Sequence, residues 1–275
     1  MATPSRPVLV GVDAFPASSE AALWAVAEAA LRHADMQLVV VNDDPTLEEN
    51  LRQRLQDVAG RCREHRPQVA ISEHLCRGRP AAELIRRSSE AQLLVTGSRG
   101  REEPAGWLGS VSTAVATRAY CPVTVVHGPH TEFTSGPIVV GYDDSQHSGT
   151  ALRFALEAAI LHHTDVLAIL VLRDIRNEYP WTEQSIIDID WKRWHDEALA
   201  HLGRQLTERT EDYPGVSARA EVRRGYPIEE LAEAGSAARM LVVGHRGTGG
   251  APGLLLGSVA SGVLHHAPCP VTVVR

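Results

Sequence analysis

The sequence is very poor in lysine, and this excludes two common phosphate-binding motifs. Its single lysine, Lys192, stands outside every glycine-rich stretch. A Walker A loop needs Gly-Lys-Ser or Gly-Lys-Thr, and a protein kinase needs a strand lysine together with a His-Arg-Asp loop. The segment from Gly11 to Pro16 has no Gly-x-Gly-x-x-Gly pattern, so the dinucleotide fingerprint is missing as well.

Long apolar runs and paired cysteines are also absent from the sequence. No stretch approaches the roughly 18 apolar residues that a membrane span requires. The short apolar stretch at residues 8–12 lacks the basic lead and the cleavage site of a secretory signal. The four cysteines show neither Cys-x-x-Cys spacing nor a zinc-type histidine pattern. We therefore predict a cytoplasmic, reduced protein without a metal site or membrane association, in which Cys121 and Cys269 are buried thiols.

The sequence has fewer basic residues than acidic ones, 27 Lys and Arg against 34 Asp and Glu. The formal net charge is −7 and the sequence pI is about 6.0. A nucleic-acid-binding protein usually presents a basic face, so we predict no nucleic-acid partner. An acidic protein can still bind a phosphate group, because backbone dipoles and one or two arginines attract it locally.

The sequence contains an internal repeat with two copies. Val10-Gly11-Val12-Asp13 recurs as Val140-Gly141-Tyr142-Asp143, and the six residues from Cys121 recur unchanged from Cys269. Two copies at so long a period indicate a duplicated domain and not a repeat array. We predict domains at residues 1–129 and 136–275. The spacing between equivalent residues widens in the second half, which predicts an insertion near residues 174–194.

Apolar and amphipathic segments alternate in the same order in each half. In the first half we predict strands at residues 8–12, 38–41, 69–75, 93–96 and 123–126. The intervening helices are predicted after a cap at Ser18 or Ser19, along the apolar residues Leu47 to Val58, at residues 80–88 and at residues 109–119. Strands that are apolar on both faces predict an α/β fold of two tandem doubly wound, Rossmann-like domains, each with a five-stranded parallel sheet flanked by helices.

Each half carries a glycine-spaced loop between a strand and a helix. The second reads Gly244-His245-Arg246-Gly247, then nine residues, then Gly257-Ser258; the first reads Gly97-Ser98-Arg99-Gly100, then eight residues, then Gly109-Ser110. Glycine removes the Cβ that would block an anion, and free N–H groups at a helix start attract phosphate, with Ser258 as the expected N-cap. A single such loop could equally be a tight turn, and its duplication favours a binding site.

The strand-one aspartates, the glycine loops and the closing Cys-Pro-Val-Thr-Val-Val strands together resemble the universal stress protein family, in its tandem-domain form. The resemblance implies an ATP-binding module, with or without Mg²⁺, and no catalytic residue. In the second half it implies binding by Gly141, Asp143, Val171, Leu172, Gly244, His245, Arg246, Gly247, Gly257, Ser258 and Val259. In the first half it implies binding by Gly11, Asp13, Val41, Asn42, Gly97, Ser98, Arg99, Gly100, Gly109, Ser110 and Val111.

The resemblance also implies a function and an assembly. We expect a stress regulator whose nucleotide occupancy changes its shape or its choice of a regulatory protein partner. The closing strands at residues 123–126 and 271–274 are expected to pair the halves about a pseudo-twofold axis, and the whole chain to form a homodimer. No general base with a route to the γ-phosphate is evident, so hydrolysis should be slow at most. An adenine-nucleotide hydrolase or transferase of related fold, and an interaction protein that has lost nucleotide binding, remain open.

Overall fold

The computed structural model describes residues 5–42, 44–98, 108–127, 135–173, 190–249 and 255–275. The strands of the first half are β1 (Val8–Gly11), β2 (Met36–Asn42), β3 (Ile71–Arg77), β4 (Leu93–Gly97) and β5 (Val123–Val126). Those of the second half are β6 (Ile138–Gly141), β7 (Val166–Leu172), β8 (Ala218–Arg224), β9 (Met240–Gly244) and β10 (Val271–Val274).

The helices of the first half are α1 (Pro16–Leu31), α2 (Glu48–His65), α3 (Pro80–Arg87) and α4 (Ser110–Arg118). Those of the second half are α5 (Gln146–His162), α6 (Trp191–Thr210), α7 (Pro227–Gly235) and α8 (Ser258–His266). No helix in the described part of the chain is both long enough and apolar enough to cross a bilayer.

The described strands form one ten-stranded sheet in the order β3-β2-β1-β4-β5-β10-β9-β6-β7-β8. Within each half the five strands are parallel. The halves meet at β5 and β10, which pair antiparallel. The predicted α/β architecture of two doubly wound units is confirmed, and the two closing strands pair as the sequence indicated.

Both faces of the sheet are covered by helices. Helices α1, α2, α5 and α6 contribute to one buried cluster, and α3, α4, α7 and α8 contribute to the other. The central strands are therefore apolar on both faces, with Leu93, Leu94 and Val95 of β4 fully buried. Cys121 and Cys269 are buried, as predicted, and burial raises the pKa of each thiol to about 12.

Helix starts differ from the prediction in the first half. Helix α1 has Phe15 as its N-cap and Pro16 as its first residue, whereas Ser18 and Ser19 are buried inside its first turn. Proline suits this position, because its φ is already helical and its missing N–H would have no partner there. Helix α2 begins at Glu48, and Leu47 is an exposed residue of the preceding 3₁₀ turn.

Two helices of the second half end in a histidine pair, His162-His163 and His265-His266, and one histidine of each pair contacts the first half. The Nε2 of His162, at the end of α5, donates to Glu28 Oε2 in α1 over 2.8 Å. His265, in the last turn of α8, accepts a 3.2 Å hydrogen bond at Nδ1 from the Leu108 N–H. A cationic ring at a helix C-terminus complements the helix dipole, and these two side chains in addition connect the halves.

The predicted insertion lies largely outside the described residues, and so does Trp181. Its end forms the start of α6, where the Trp191 and Trp194 rings meet edge to face with their centroids 6.0 Å apart. The Arg224 guanidinium lies over the Trp191 ring at 4.2 Å. Trp194 is half exposed, so this aromatic pair lies at the surface, next to Arg224 at the end of β8.

Candidate functional site

The chain reverses its direction of winding between β6 and β9. From β6 it continues to β7 and β8 on one side, and it returns to β9 and β10 on the other. Ligands of open α/β sheets bind outside the carboxyl ends of the strands at such a switch point. The predicted residues Asp143, Val171, Leu172 and Gly244 all lie at or just beyond these ends. The first half has equivalent residues at the ends of β1, β2 and β4, namely Asp13, Val41, Asn42 and Gly97.

Asp143 connects two loops of the second-half crevice. Its Oδ1 accepts a hydrogen bond from the Ser145 N–H at 3.2 Å, and its Oδ2 accepts one from the Thr248 N–H at 2.8 Å. Burial acts to raise the pKa of this carboxyl, but the hydrogen bonds from Ser145 and Thr248 outweigh it and hold the pKa below its ordinary value. Asp143 is therefore an ionised carboxylate at neutral pH.

A side chain at Gly247 would collide with the carboxylate of Asp143. A Cβ at this position would overlap Asp143 Oδ2. A Cβ at Gly249, two residues further along the same loop, would meet nothing within 4 Å. The predicted loop glycine thus has a structural reason that involves the predicted site aspartate.

The glycines at the strand ends have a different reason. A Cβ on Gly244 would lie 2.8 Å from the His147 carbonyl carbon, and one on Gly97 would lie 3.0 Å from that of Ala17. Gly141 and Gly11 are similarly close to a leucine side chain of the covering helix. Gly97 and Gly244 therefore let a helix start pack against the strand end, and their predicted contact with an anion stays a prediction.

The start of α8 closes the far side of the second-half loop. Gly257, not Ser258, is the N-cap, and its N–H donates to the His245 carbonyl at 2.7 Å. Ser258 and Val259 therefore lie in the first helical turn, and no side chain of the described residues caps it. Uncapped first-turn N–H groups, together with the positive end of the helix dipole, attract an anion.

His245 is buried beside this loop. It is 9% exposed, and its ring lies edge to face against that of His147, with a centroid distance of 4.2 Å. Burial, followed by the positive charges of His147, Arg275 and Arg246, lowers the pKa of His245 to about 4. The ring is therefore neutral at pH 7.

The first-half site is only partly described. Asp13 Oδ1 accepts a 2.9 Å hydrogen bond from the Phe15 N–H, and burial raises the pKa of its carboxyl. Gly109 N–H donates to the Ser98 carbonyl at 2.9 Å, and Ser110 and Val111 form the uncapped first turn of α4. Arg99 and Gly100 of the first-half glycine loop lie outside the described residues. The same is true of Glu102 and Glu103 in that loop and of Asp43.

Two residues of the second-half site could not be predicted from the sequence. Thr248 contributes its backbone N–H, which nearly every residue type has, so its side chain gives no indication of this role. His147 packs on His245, but its counterpart in the first half is an alanine, so comparison of the two copies could not point to it. Within the described residues, no cluster of three or more metal-ligating side chains is present.

Comparison with known proteins agrees with this architecture. A family model described as the universal stress protein family matches residues 4–127 and again residues 135–275. A universal stress protein of Mycobacterium bovis is 31% identical, over 98% of this chain and 96% of its own length. Another, from Mycolicibacterium smegmatis, is 32% identical with the same two coverages. The crystal structure of a universal stress protein from Archaeoglobus fulgidus shares the fold, with a TM-score of 0.71 over 99% of both chains at 18% identity.

Proposed function

This chain belongs to the universal stress protein family, and from that premise we propose that its second half binds ATP in the crevice between β6 and β9. The observation that carries the proposal is the contact of Asp143 with the glycine loop. An ionised carboxylate, a loop glycine that lies directly against it at Gly247, and an uncapped helix start converge there. These are the groups that recognise a polar heterocycle or sugar on one side and phosphates on the other.

The proposed pose follows from the order of these groups. Asp143 and the end of β7 at Val171 and Leu172 would hold adenine and ribose. The backbone from Gly244 to Gly247 would surround the phosphates, and the first turn of α8 would face the terminal ones. A helix start stabilises an anion by about 0.3–1 kcal/mol when exposed and by up to about 2 kcal/mol when partly buried. Mg²⁺ would add charge compensation for the triphosphate.

The proposed activity is nucleotide-dependent switching without fast catalysis. Asp143 links the turn after β6 to the glycine loop, so a ligand that engages this carboxylate changes the constraint on both segments. We infer that the surface around these loops is what a regulatory protein partner reads. The partner itself, a homodimer and a cytoplasmic location stay predictions.

Ligand identification on freshly purified protein tests the proposal. We expect mass spectrometry of the extracted ligand to find an adenine nucleotide, and calorimetry to show that ATP binds more tightly than GTP. The absence of any extracted nucleotide, together with no binding heat for ATP, would favour an interaction protein that has lost the site. Steady phosphate release that is faster than nucleotide exchange would instead indicate a hydrolase.

A further inference from the structure

Basic side chains gather where the second-half glycine loop leaves the sheet. Strands β9 and β10 are parallel, with Val274 beside Gly244, so His245 and Arg275 follow these strands at the same level. The His245 N–H donates to the Val274 carbonyl at 2.7 Å and continues this register beyond β9. Arg246 is the next residue of the loop, and the three basic residues are therefore neighbours at the carboxyl end of the sheet.

A fourth basic residue reaches the same place from helix α5. The His147 ring meets the His245 ring edge to face, with the centroids 4.2 Å apart. A Cβ on Gly244 would lie 2.9 Å from the Cβ of His147, so the first turn of α5 lies directly against the end of β9. The four residues that meet here form a basic cluster, namely His147, His245, Arg246 and Arg275.

Two side-chain nitrogens of the basic cluster are buried without a hydrogen-bond partner among the described residues. They are His245 Nδ1 and Arg246 Nε. His245 as a whole is only 9% exposed. Buried polar atoms are nearly always paired, and an unpaired one costs free energy. These two nitrogens therefore indicate a ligand that the protein itself does not supply.

The charged groups that act on His245 are all basic. They are His147 from α5, Arg275 from β10 and Arg246 from the loop itself. The segment that leads into α8 adds no charge, since residues 248–264 include no charged side chain. Like charges close to one another are unfavourable, and an anion beside them removes that cost.

Two further titratable groups border the basic cluster. The exposed Tyr120 phenol, from the first half, acts on the charge of Arg275. A phenol can donate a hydrogen bond, so it too suits an anion. The Asp143 carboxylate accepts from the Thr248 N–H, two residues beyond Arg246, and thus faces the loop backbone.

The start of α8 lies beside the basic cluster. A Cβ on Gly257, its N-cap, would lie 3.3 Å from the Cα of Arg246 and 3.4 Å from the His245 carbonyl oxygen. The uncapped N–H groups of the first turn therefore begin next to both residues. A helix start and arginine side chains attract the same kind of ligand, which is an oxyanion such as a phosphate group.

The first half does not repeat this arrangement. Ala17 and Ser98 stand where the second half has His147 and His245. His127 is the counterpart of Arg275, and its Nε2 lies 2.7 Å from the Leu264 carbonyl oxygen, across the boundary between the halves. The two histidine rings are therefore a property of the second-half site.

We propose that the basic cluster is a proton-coupled oxyanion site, in which His245 takes up a proton when a phosphate group binds beside it. The inference rests on the proposed function for the source of that group, since a nucleotide would supply it, and free phosphate has the same chemistry. The anion need not touch the ring, because the interaction of two charges extends over several ångströms.

The sign of the effect follows from the surroundings of the ring. Burial and the three positive neighbours lower the pKa of His245 to about 4. An anion beside the ring offsets this repulsion and raises the pKa, so the ring gains a proton on binding. Because such coupling is reciprocal, the oxyanion must bind more tightly as the pH falls.

Sulfate is the probe that tests the coupling, because its own charge is constant over the pH range used, whereas a phosphate group titrates near pH 6. Calorimetry at constant ionic strength, balanced with chloride, should show sulfate binding about three- to tenfold tighter at pH 5.5 than at pH 7.5. At pH 5.5 the binding heat should differ between two buffers of different ionisation enthalpy, in the direction of proton uptake. Binding that is absent, or that is independent of pH, would overturn the proposal.

Two histidine variants assign the proton. His245→Ser copies the first half, and at pH 7.5 it should bind sulfate within about twofold of the parent, because the ring is neutral there. It should lose both the pH dependence and the proton uptake. His266→Ser changes an exposed histidine at the opposite end of α8 and should retain both. Proton uptake that persists in His245→Ser would overturn the role of this residue.

Arg246→Gln tests the site without changing any histidine. It should weaken sulfate binding about fivefold or more at both pH values, because a charge-assisted hydrogen bond is lost. Unchanged affinity in this variant would contradict the oxyanion site. Thermal melting in chloride shows that each variant is folded.

ATP separates this inference from the proposed function. Displacement of sulfate by ATP would support both, since the nucleotide then supplies the phosphate group. If sulfate binds with proton uptake while ATP fails to bind the parent protein, the oxyanion site stands and the proposed function falls. If ATP binds and sulfate shows no pH-dependent binding, the proposed function stands and this inference falls.

Discussion

The side-chain oxygens of Thr124 and Thr272 lie 2.8 Å apart in the middle of the sheet, and neither residue has any exposed surface. They are directly opposite each other in the antiparallel ladder of β5 and β10. Each is also the counterpart of the other in the sequence repeat. The pseudo-twofold axis that relates the halves therefore passes beside this hydroxyl pair, and the Thr272 hydroxyl also lies 3.2 Å from Met240 Sδ.

The first prediction concerns the coupling of these two hydroxyls. Thr272→Val leaves the Thr124 hydroxyl buried without this partner, which should lower the free energy of unfolding by about 1–3 kcal/mol. The double variant Thr124→Val/Thr272→Val removes both polar groups at nearly constant shape and should recover most of that loss. Urea denaturation of the parent, both single variants and the double variant gives the coupling energy. Additive losses would show that the hydroxyls do not stabilise one another.

The second prediction concerns Glu28, a carboxylate buried where α1 meets the second half. Its side chain is 1% exposed and contacts both Arg32 and His162, each within 2.8 Å. Glu28→Ala leaves two buried donors without their acceptor, so we expect a loss of about 3–5 kcal/mol in the free energy of unfolding. Glu20→Ala on the same helix breaks only the exposed Arg61 pair and should cost less than about 1 kcal/mol. Similar losses for the two variants would contradict a special role for Glu28.

The same carboxylate sets the sign of a pH effect. Burial acts to raise the pKa of Glu28, but Arg32 and His162 overcome it and lower the pKa from 4.5 to about 2. A lowered folded pKa gives a contribution to stability that is complete above the unfolded value and is lost as the pH falls from 4.5 towards 2. The stability difference between the parent and Glu28→Gln should therefore shrink across that interval.

The sequence predicted the layered fold well because buried parallel strands leave a strong local signal. Segments such as residues 93–96 are apolar on both faces, and the alternation with helices leaves few alternative architectures. Duplication added the positions of the equivalent turns and the pairing of the closing strands. The start of α1 was predicted less well. Ser18 is a typical N-cap residue, but the helix begins two residues earlier at Pro16, because the φ of proline is already helical.

Contacts between the halves could not be predicted in the same way. Glu28 and His162 are far apart in the sequence, and each looks locally like an ordinary residue of a helix end or helix face. The reason for each glycine is equally hard to predict from the sequence. Gly97 and Gly244 fit a phosphate motif, and the space beside each is occupied by the start of a helix. Only the three-dimensional position of Asp143 distinguishes Gly247 from these packing glycines.

The third prediction uses the neutral state of His245. Its folded pKa is lowered from 6.5 to about 4, so the unfolded chain binds the extra proton first as the pH falls. Lowering the pH from 7 to 5 should thus reduce the free energy of unfolding through this residue by roughly 1–2 kcal/mol. His245→Ser, which copies Ser98 of the first half, removes that part of the pH dependence, while all other histidines are retained. An unchanged slope in the variant would mean that His245 is not held neutral.

The fourth prediction tests the glycine loop. Gly247→Val places a Cβ on Asp143 Oδ2 and displaces either the carboxylate or the loop, so ATP binding should be lost. Gly249→Val changes the same loop where a Cβ has free space, and it should retain binding. At a ligand concentration a hundredfold above the dissociation constant, the parent and Gly249→Val should gain about 2.7 kcal/mol of stability. Thermal shift with ATP measures this gain, and an equal gain in Gly247→Val would exclude the site.

The fifth prediction is that the two halves bind nucleotide unequally. The first-half glycine loop is one residue shorter and carries Glu102 and Glu103, which lie outside the described residues, where the second half has Gly249 and Gly250. A carboxylate within about 6 Å of a phosphate costs roughly 1–3 kcal/mol at an effective dielectric constant near 20. Without magnesium, calorimetry should therefore show one strong site, and this site should disappear in Gly247→Val.

Magnesium is the control for that result, because a divalent cation that bridges carboxylate and phosphate reverses the sign of the interaction. Adding magnesium should tighten the weak first-half site more than the strong one if the acidic residues face the ligand. Glu102→Gln/Glu103→Gln should then tighten the first-half site without magnesium and remove its extra response to the cation. Two sites of equal affinity in the absence of magnesium would show that the acidic residues point away from the nucleotide.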